Sequence, residues 1–257
     1  MVGAAPAICG ILISAPHTVT RKEAIILDDQ KYPPLISGRL RKFMVHVPEV
    51  IRKCSGIILF GQRIKSIAFT TDLSIIRNIN ADAIIAVYPF TPQPIITQAL
   101  LSVAGKPIFA GIGGGLTTGM RVMALGVNAE MQGASGVVMN APTDNEVLRM
   151  VAEALDIPSI ITVVSEDEDF KARIDAGADI FNVAAAADTA AIVRKIRAQF
   201  PDFPIIATGG PTDETILETI EAGANAISWT PPPAGSLFKA TMQAYRENKP
   251  NPHVDID

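Results

Sequence analysis

The sequence predicts an α/β protein whose strands close into a parallel (β/α)8 barrel, a TIM barrel with an N-terminal extension. From about Lys65 onward, eight short apolar runs rich in β-branched residues alternate with stretches of helical spacing. The runs lack strict polar and apolar alternation, as expected of parallel strands covered on both faces. The 257-residue length also suits one such domain, which uses about 250 residues. An open doubly wound sheet is the alternative, because a sequence does not reveal closure.

The predicted strands are runs of five to eight residues, and the stretches between them carry apolar residues on one helical face. In one such stretch, Ile192, Val193 and Ile196 lie on the same side of a helix. The eight strand runs are 66–71, 83–90, 107–112, 136–140, 159–165, 179–183, 204–208 and 226–230.

The joints between helices and strands repeat a signature in which glycine follows the end of a helix. Glycine adopts a left-handed cap there at little steric cost, so we expect this conformation at Gly133, Gly177 and Gly223. Polar residues mark helix starts: Thr143 with Glu146 predicts a capping box, and Thr212 with Thr215 predicts a second polar start.

The first 64 residues do not follow this rhythm. They predict a helix over 48–53 and a hairpin over 56–69 that leads into the first barrel strand. We therefore expect three parts: an N-terminal arm over 1–64 that packs on the barrel or on a partner subunit, the barrel over 65–250, and a C-terminal tail over 251–257.

Composition and charge exclude several classes of protein. The net charge of −4, the pI of about 5.4 and the lack of a basic stripe argue against a nucleic-acid partner. No apolar run approaches the roughly 18 to 20 residues that span a membrane. Cys9 and Cys54 show no CxxC or metal-binding spacing, and residues 1–10 lack the basic start of a signal peptide. We therefore expect a cytoplasmic protein, and a homo-oligomer formed through the arm.

TIM barrels place their active site at the carboxyl ends of the strands. None of the three histidines (His17, His46 and His253) lies in a predicted strand, so neither a metal site nor another cofactor site is expected. The polar and aromatic residues near the strand ends that we expect to bind substrate are Tyr88, Asn140, Asn182, Thr208, Trp229 and Thr230.

Two strand ends also predict a phosphate site. Gly209 and Gly210 end the seventh strand, and Gly235 and Ser236 open the helix after the eighth. Exposed backbone amides and the positive end of a helix dipole favour an anion at such a place. The alternative is that these glycines only form turns, and the prolines at 231–233 remove three amide donors nearby.

A second glycine-rich loop follows the third barrel strand at residues 113–115. Such a loop can cradle an anion or form a flexible turn. It lacks the lysine of a P-loop and the full dinucleotide-binding spacing, so it is weak evidence for a nucleotide.

Asp72 and Glu166 are the carboxylates that the predicted strands direct toward the barrel mouth. A proton-transfer enzyme needs such a group beside the substrate. Each also has a structural interpretation, because Asp72 stands where it can cap the next helix and Glu166 belongs to an acidic run at a helix start.

The stretch 161–227 resembles the keto-deoxy-phosphogluconate aldolases and neighbouring phosphate-binding barrels. Those aldolases carry a Schiff-base lysine on the sixth strand, where this chain has Asn182, so iminium chemistry is not expected. As a whole, the chain is similar to bacterial and archaeal barrel proteins, some of which carry a general hydrolase label. The matching segments are Ser165-Glu166, Ala176-Gly177-Ala178-Asp179, Phe200-Pro201-Asp202, Thr208-Gly209-Gly210 and Ala222-Gly223-Ala224 for the aldolases, and residues 65–72, 88–94 and 229–232 for the barrel proteins.

These observations leave three hypotheses. The first is an enzyme that isomerises, epimerises or cleaves a small phosphorylated or carboxylated metabolite by proton transfer. The second is a ligand-binding sensor or scaffold on a catalytically poor barrel. The third is a metal-assisted hydrolase that uses Asp72 and Glu166.

Overall fold

The computed structural model of the chain describes residues 36, 38 and 45–252. The chain divides into two compact units, residues 1–42 and 43–257, and nearly all described residues belong to the second. Within 45–252, eight parallel strands form a closed barrel and a helix follows each strand, which confirms the predicted TIM barrel. No helix of this described part is both long and apolar enough to cross a membrane.

Every predicted strand run overlaps one barrel strand. Seven observed strands are shorter than their runs because residues at the ends belong to loops, and the strand Ile108–Gly113 is as long as its run but shifted by one residue. The barrel closes where the last strand pairs with the first, with Ile227 opposite Ser66. The strands are β3 (Ser66–Phe69), β4 (Ala83–Ala86), β5 (Ile108–Gly113), β6 (Gly136–Met139), β7 (Ser159–Val163), β8 (Ile180–Val183), β9 (Ile205–Thr208) and β10 (Ala226–Trp229).

Eight α-helices surround the barrel, and a 3-10 turn at Ala186–Asp188 precedes the sixth. The helices are α1 (Leu73–Asn78), α2 (Pro94–Ala104), α3 (Met120–Met131), α4 (Asn145–Ala154), α5 (Phe170–Asp175), α6 (Thr189–Gln199), α7 (Asp213–Glu221) and α8 (Ala234–Arg246).

The glycine joints adopt the predicted backbone, with φ of +94° at Gly133, +99° at Gly177 and +113° at Gly223. The capping prediction for α4 is wrong. Asp144, one residue later than Thr143, caps this helix by accepting a hydrogen bond from the Val147 amide at 2.8 Å. The capping box forms instead at Thr212, because its side chain and that of Thr215 bond each other's backbone amides.

The predicted hairpin is confirmed: β1 (Ile57–Leu59) pairs antiparallel with β2 (Gln62–Ile64). Leu59 and Ile64 pack with the residues that fill the barrel interior, so the hairpin seals the end opposite the carboxyl ends of the strands. The helix predicted over 48–53 is confirmed as a 3-10 helix, Glu49–Lys53. The interior residues from the strands are Ile67, Ala83, Ile85, Phe109, Val138, Ile160, Ile180, Ile206 and Ala226.

Candidate ligand site at the carboxyl ends of the barrel strands

The barrel interior changes from apolar to polar toward the carboxyl ends of β7 to β10. Alternate residues of a strand face the same side. The residues two positions beyond Ile160, Ile180, Ile206 and Ala226 therefore also face inward. These four inward-facing residues, which we call the polar layer, are Thr162, Asn182, Thr208 and Ser228.

Asn182 is the most constrained member of the polar layer. Its side chain is buried, with 7% exposure, and its Nδ2 donates to Thr162 Oγ1 at 3.3 Å. Its Oδ1 is buried and has no hydrogen-bond partner. A buried amide oxygen without a partner costs free energy, so this atom provides an acceptor for a ligand hydroxyl or amine or for a water molecule.

Asn182 and Thr208 were predicted from the sequence as site residues, whereas Thr162 and Ser228 were not. The prediction selected residues near the ends of the runs 159–165 and 226–230, and Thr162 and Ser228 lie inside these runs. Only the packing of the barrel shows which polar residues of a strand face its interior.

A cavity of about 420 Å³ opens at the carboxyl ends of β4, β5 and β6. Tyr88 and Asn140, both predicted to bind substrate, line it. The glycine-rich loop at 113–115 also contributes to its wall. The remaining lining residues are Val87, Pro89, Phe90, Thr91, Pro92, Gly111, Leu116, Thr117 and Val138.

The walls of this cavity are held by hydrogen bonds. The Tyr88 hydroxyl accepts from the Gln93 amide at 2.8 Å, which fixes the phenol ring beside the start of α2. Thr91 and Thr117 join the two wall loops through their hydroxyl oxygens at 3.3 Å. The cavity is therefore preformed.

Asp72 lies at the N-terminus of α1. Its Oδ1 accepts from the Ser74 amide at 2.8 Å, the Ser74 hydroxyl at 2.6 Å and the Ile75 amide at 3.2 Å. Partial burial raises the pKa of Asp72, but hydrogen bonds from the Ser74 hydroxyl and from the Ile75, Ser74 and Ala234 amides outweigh it and lower the pKa. The carboxylate is thus ionised at neutral pH and lies between the starts of α1 and α8.

Glu166 lies in the loop after β7 and is exposed. Its Oε2 is 3.8 Å from Lys195 Nζ, which also donates to the Glu166 carbonyl oxygen at 2.6 Å. The structure therefore pairs Glu166 with helix α6 and does not group it with Asp72.

A third carboxylate near the mouth, Glu168, was not identified from the sequence. Its Oε1 accepts from the Val164 amide at 3.0 Å, and its buried Oε2 lies 3.5 Å from Arg173 Nε. Arg173 in turn donates to the carbonyl oxygens of Ala141 and Thr143. This ion pair ties the loop after β7 to the loop after β6.

The residues predicted to bind phosphate lie at the starts of two helices whose first turns differ in charge. Gly209 and Gly210 precede α7, whose first turn carries Asp213 and Glu214 and so opposes an anion. Gly235 and Ser236 lie in the first turn of α8, which has no acidic residue of its own, but the Asp72 carboxylate accepts from the Ala234 amide at the start of that helix. Both helix starts therefore already carry negative charge.

Gly209 and Gly210 also have structural reasons to be glycine. A β-carbon on Gly209 would lie 2.7 Å from Ile216 Cγ1, and Gly210 has φ of +81°. Both observations agree with the alternative that the glycines form a tight turn, and phosphate binding stays a prediction.

Trp229 and Thr230 occupy different surroundings from the polar layer. Trp229 directly follows Ser228, which faces inward, and therefore faces the outer side of the strand. It is half-buried there against the residues between the barrel and its helices. Thr230 is exposed in the loop that leads to α8.

The eight barrel strands contain no ionisable residue. An acid or base supplied by the described residues 45–252 therefore lies outside these strands. Within 45–252, no group of three or more His, Cys, Asp or Glu side chains lies close enough together to hold a metal ion.

This fold and site define the class of protein as a TIM barrel with a polar, preformed mouth. No protein-family model matches the chain, and a search of curated proteins finds no match. Among solved structures, the chain is similar to phosphonopyruvate hydrolase in complex with oxalate and Mg²⁺, with a TM-score of 0.54 and 14% identity over 73% of this chain and 84% of that one.

Two further structures extend the comparison. A 2,3-dimethylmalate lyase, a PEP mutase/isocitrate lyase superfamily member, gives a TM-score of 0.54 and 14% identity over 78% of this chain and 83% of that one. A mandelate oxidase variant with an FMN adduct gives a TM-score of 0.55 and 16% identity over 69% of this chain and 68% of that one. At these identities the likeness shows the barrel fold. The resemblance to keto-deoxy-phosphogluconate aldolases stays a prediction.

The phosphonopyruvate hydrolase structure contains Mg²⁺. Mg²⁺ is usually held by one or two carboxylates together with oxygens of its substrate and water. Asp72 uses its Oδ1 as a helix cap and Glu166 is paired with Lys195, so the two predicted carboxylates do not form a joint ligand set.

Proposed function

We propose that this chain is an enzyme that binds a small carboxylated or phosphorylated metabolite at the barrel mouth and rearranges or cleaves it by proton transfer. The observation that carries the proposal is the buried, unpartnered Oδ1 of Asn182 within the polar layer, which offers an acceptor at the place where TIM barrels bind substrates. Phosphonopyruvate hydrolase and 2,3-dimethylmalate lyase, by their names, act on small carboxylates and support this substrate class.

In this proposal the acid group of the substrate binds near the start of α8, at Gly235 and Ser236, with Gly209 and Gly210 beside it. The helix dipole favours negative charge there, and the first turn of α8 carries no acid of its own, although the Asp72 carboxylate lies at the same helix start. Asn182 and Thr208 orient the substrate by hydrogen bonds, together with Asn140, Tyr88 and Thr230 at the rim.

Asp72 is the proton acceptor that we favour over Glu166. Its contact with the Ala234 amide supports this role, because the acid group is proposed to bind at the start of α8, although the hydrogen bonds that lower its pKa make it a weaker base than an ordinary carboxylate. Glu166 is exposed and paired with Lys195, so a role in proton transfer would require that pair to break.

The test is a thermal-shift screen of small carboxylates and phosphorylated metabolites, followed by NMR analysis of each stabilising compound after incubation. We expect at least one acid to stabilise the protein and to be converted. Asp72→Asn should lower the rate about 100-fold or more, as expected when a general base is removed. Glu221→Gln, at an exposed acid at the far end of α7, is the control and should leave the rate unchanged.

The second candidate is a ligand-binding sensor or scaffold. The lack of ionisable residues in the barrel strands, together with the structural contacts of Asp72 and Glu166, favours it. A compound that stabilises the protein and is recovered unchanged after long incubation would establish the sensor and reject the enzyme.

A further inference from the structure

We infer that the substrate carries an uncharged, largely apolar body, and that this body lies in the cavity at the carboxyl ends of β4 to β6. The acid group would lie on the opposite side of the mouth, near β9 and β10. The inference rests on the proposed function, because it describes the remainder of the molecule whose acid group that proposal places.

The composition of the cavity wall is the first argument. None of its lining residues carries a charge, and its polar groups are a phenol, two threonines, one asparagine and the backbone. Such a wall offers no charged side chain to pair with a second charged group, whereas it stabilises apolar surface removed from water.

The size of the cavity is the second argument. Its volume of about 420 Å³ greatly exceeds the roughly 150 Å³ in which an engineered apolar cavity holds benzene. A bare two- to four-carbon acid would leave most of this space to water. The cavity therefore suits a ring, or an aliphatic group of similar size, in addition to an acid.

Two of the glycines that line the cavity differ in their surroundings. A β-carbon on Gly111 would lie 3.0 Å from Val87 Cγ2 and 3.1 Å from the Ala86 carbonyl oxygen, so the close approach of this neighbouring segment explains that glycine. Gly115 has no protein atom within 4 Å of the place where its β-carbon would stand, so the wall is open at that position.

Exposed apolar side chains at the cavity rim are the third argument. Phe90 is 72% exposed and Leu116 is fully exposed, and both line the cavity. Large apolar side chains grouped beside a cavity are typical of ligand contacts, because their exposure to water is unfavourable. The ring of Tyr88, held by Gln93, adds a fixed flat surface beside them.

The cavity adjoins the barrel interior. Val138 lines the cavity and also packs in the interior cluster, and Val87 lines the cavity and packs against the same cluster. No residue of the polar layer lines the cavity, so a ligand that contacts both must cross the mouth between them.

The experiment compares matched acids that differ by one phenyl group: pyruvate with phenylpyruvate, and inorganic phosphate with phenyl phosphate. Affinity is measured by calorimetry. We expect the phenyl member of at least one pair to bind about tenfold or more tightly than its parent acid, because the ring is removed from water. Equal affinities within both pairs would overturn the inference and leave the proposed function standing.

Variants at exposed residues locate the effect without disturbing the fold. Phe90→Ala and Leu116→Ala should each weaken binding of the phenyl member roughly threefold or more and leave the parent acid unchanged. Met131→Ala is the control, since Met131 is 82% exposed and ends α3 away from the mouth. If the phenyl member still binds more tightly than its parent acid by the original factor in both rim variants, the ring lies elsewhere and the inference is overturned.

Two further measurements separate this inference from the proposed function. Asn182→Leu should weaken the parent acid and the phenyl member by the same factor, because both use the polar layer. Benzyl alcohol tests the cavity without an acid group. Binding of benzyl alcohol with no binding of any acid would overturn the proposed function and, with it, the assignment of the cavity to that substrate.

Discussion

Two asparagines of the barrel show how the same side chain serves structure in one place and presents an open group in another. Asn225, beside the start of β10, uses its Oδ1 to accept from Arg197 and from the Ile205 amide, and its Nδ2 to donate to Ser55. Asn182 makes one side-chain hydrogen bond, and its buried Oδ1 has none. Asn225 is therefore expected to stabilise the fold, whereas Asn182 is expected to serve binding.

Replacing each asparagine by leucine tests this contrast. Asn182→Leu should leave the free energy of unfolding within about 1 kcal/mol of the original or raise it, because it removes a buried oxygen without a partner. Asn225→Leu should lower the free energy of unfolding by about 2 to 4 kcal/mol, because the substitution leaves several donors without a partner. Urea unfolding of both variants measures the difference, and an equal loss in the two would contradict it.

At the scale of elements, Asp72 joins the starts of two helices. It caps α1 through the Ser74 and Ile75 amides, and the Ala234 amide at the start of α8 also lowers its pKa. Because the folded pKa lies below the unfolded value, the ionised form stabilises the fold. This contribution is complete above the unfolded pKa and is lost as the pH falls through the folded pKa.

Asp72→Ala should therefore lower the free energy of unfolding by about 1 kcal/mol at pH 7, the usual loss of a helix cap. The difference from the original protein should shrink as the pH falls below about 4. Asp72→Asn should retain most of the stability, since asparagine caps helices equally well. Glu153→Ala, at an exposed acid in α4, is the control. A difference that grows toward low pH would reject this account.

A second element-scale contact, between Glu168 and Arg173, holds the loop that carries Asn140 and Thr143. Both side chains are largely buried, and Arg173 also donates to Asn145 Oδ1 at 2.9 Å. Removal of one partner leaves the other charge buried without compensation.

Arg173→Met should lower the free energy of unfolding by about 3 to 5 kcal/mol. Lys171→Met provides a matched control on the same helix, because the Lys171–Asp175 pair is exposed and such pairs contribute about 0 to 1 kcal/mol. Chemical unfolding of the two variants tests the prediction. Similar losses in both would show that burial of the Arg173 pair is unimportant.

At the scale of the whole molecule, the hairpin of β1 and β2 closes the barrel at one end and leaves the other end for a ligand. Ile64 is 2% exposed inside the barrel, whereas Ile58 on the paired strand is 67% exposed. The barrel interior therefore forms one apolar body that extends from the hairpin to the polar layer.

Ile64→Ala should lower the free energy of unfolding by about 2 to 4 kcal/mol, because it leaves a void in this interior. Ile58→Ala should change it by less than about 0.5 kcal/mol, as expected of an exposed site. Thermal unfolding measures both, and a comparable loss at Ile58 would indicate that the hairpin packs differently.

Much of the fold could be predicted because its signals are local. The eight apolar runs, the hairpin at 57–64 and the left-handed glycines depend on neighbouring residues, and all of them are confirmed. The cap of α4 was missed because Thr143 and Asp144 are both good caps, and the backbone geometry selects Asp144. The Arg173–Glu168 pair was missed because its value depends on burial between two loops.

The sequence by itself determined the order of strands and helices, the glycine joints and the absence of histidine and cysteine from the predicted strand runs, because periodicity and composition act over a few residues. Only the tertiary structure decided that β10 pairs with β3, that Thr162 and Ser228 face inward beside Asn182 and Thr208, and that the segments after β4 and β5 enclose a cavity. In strands buried on both faces, the sequence does not distinguish the inner side from the outer one. Packing between distant segments makes that distinction.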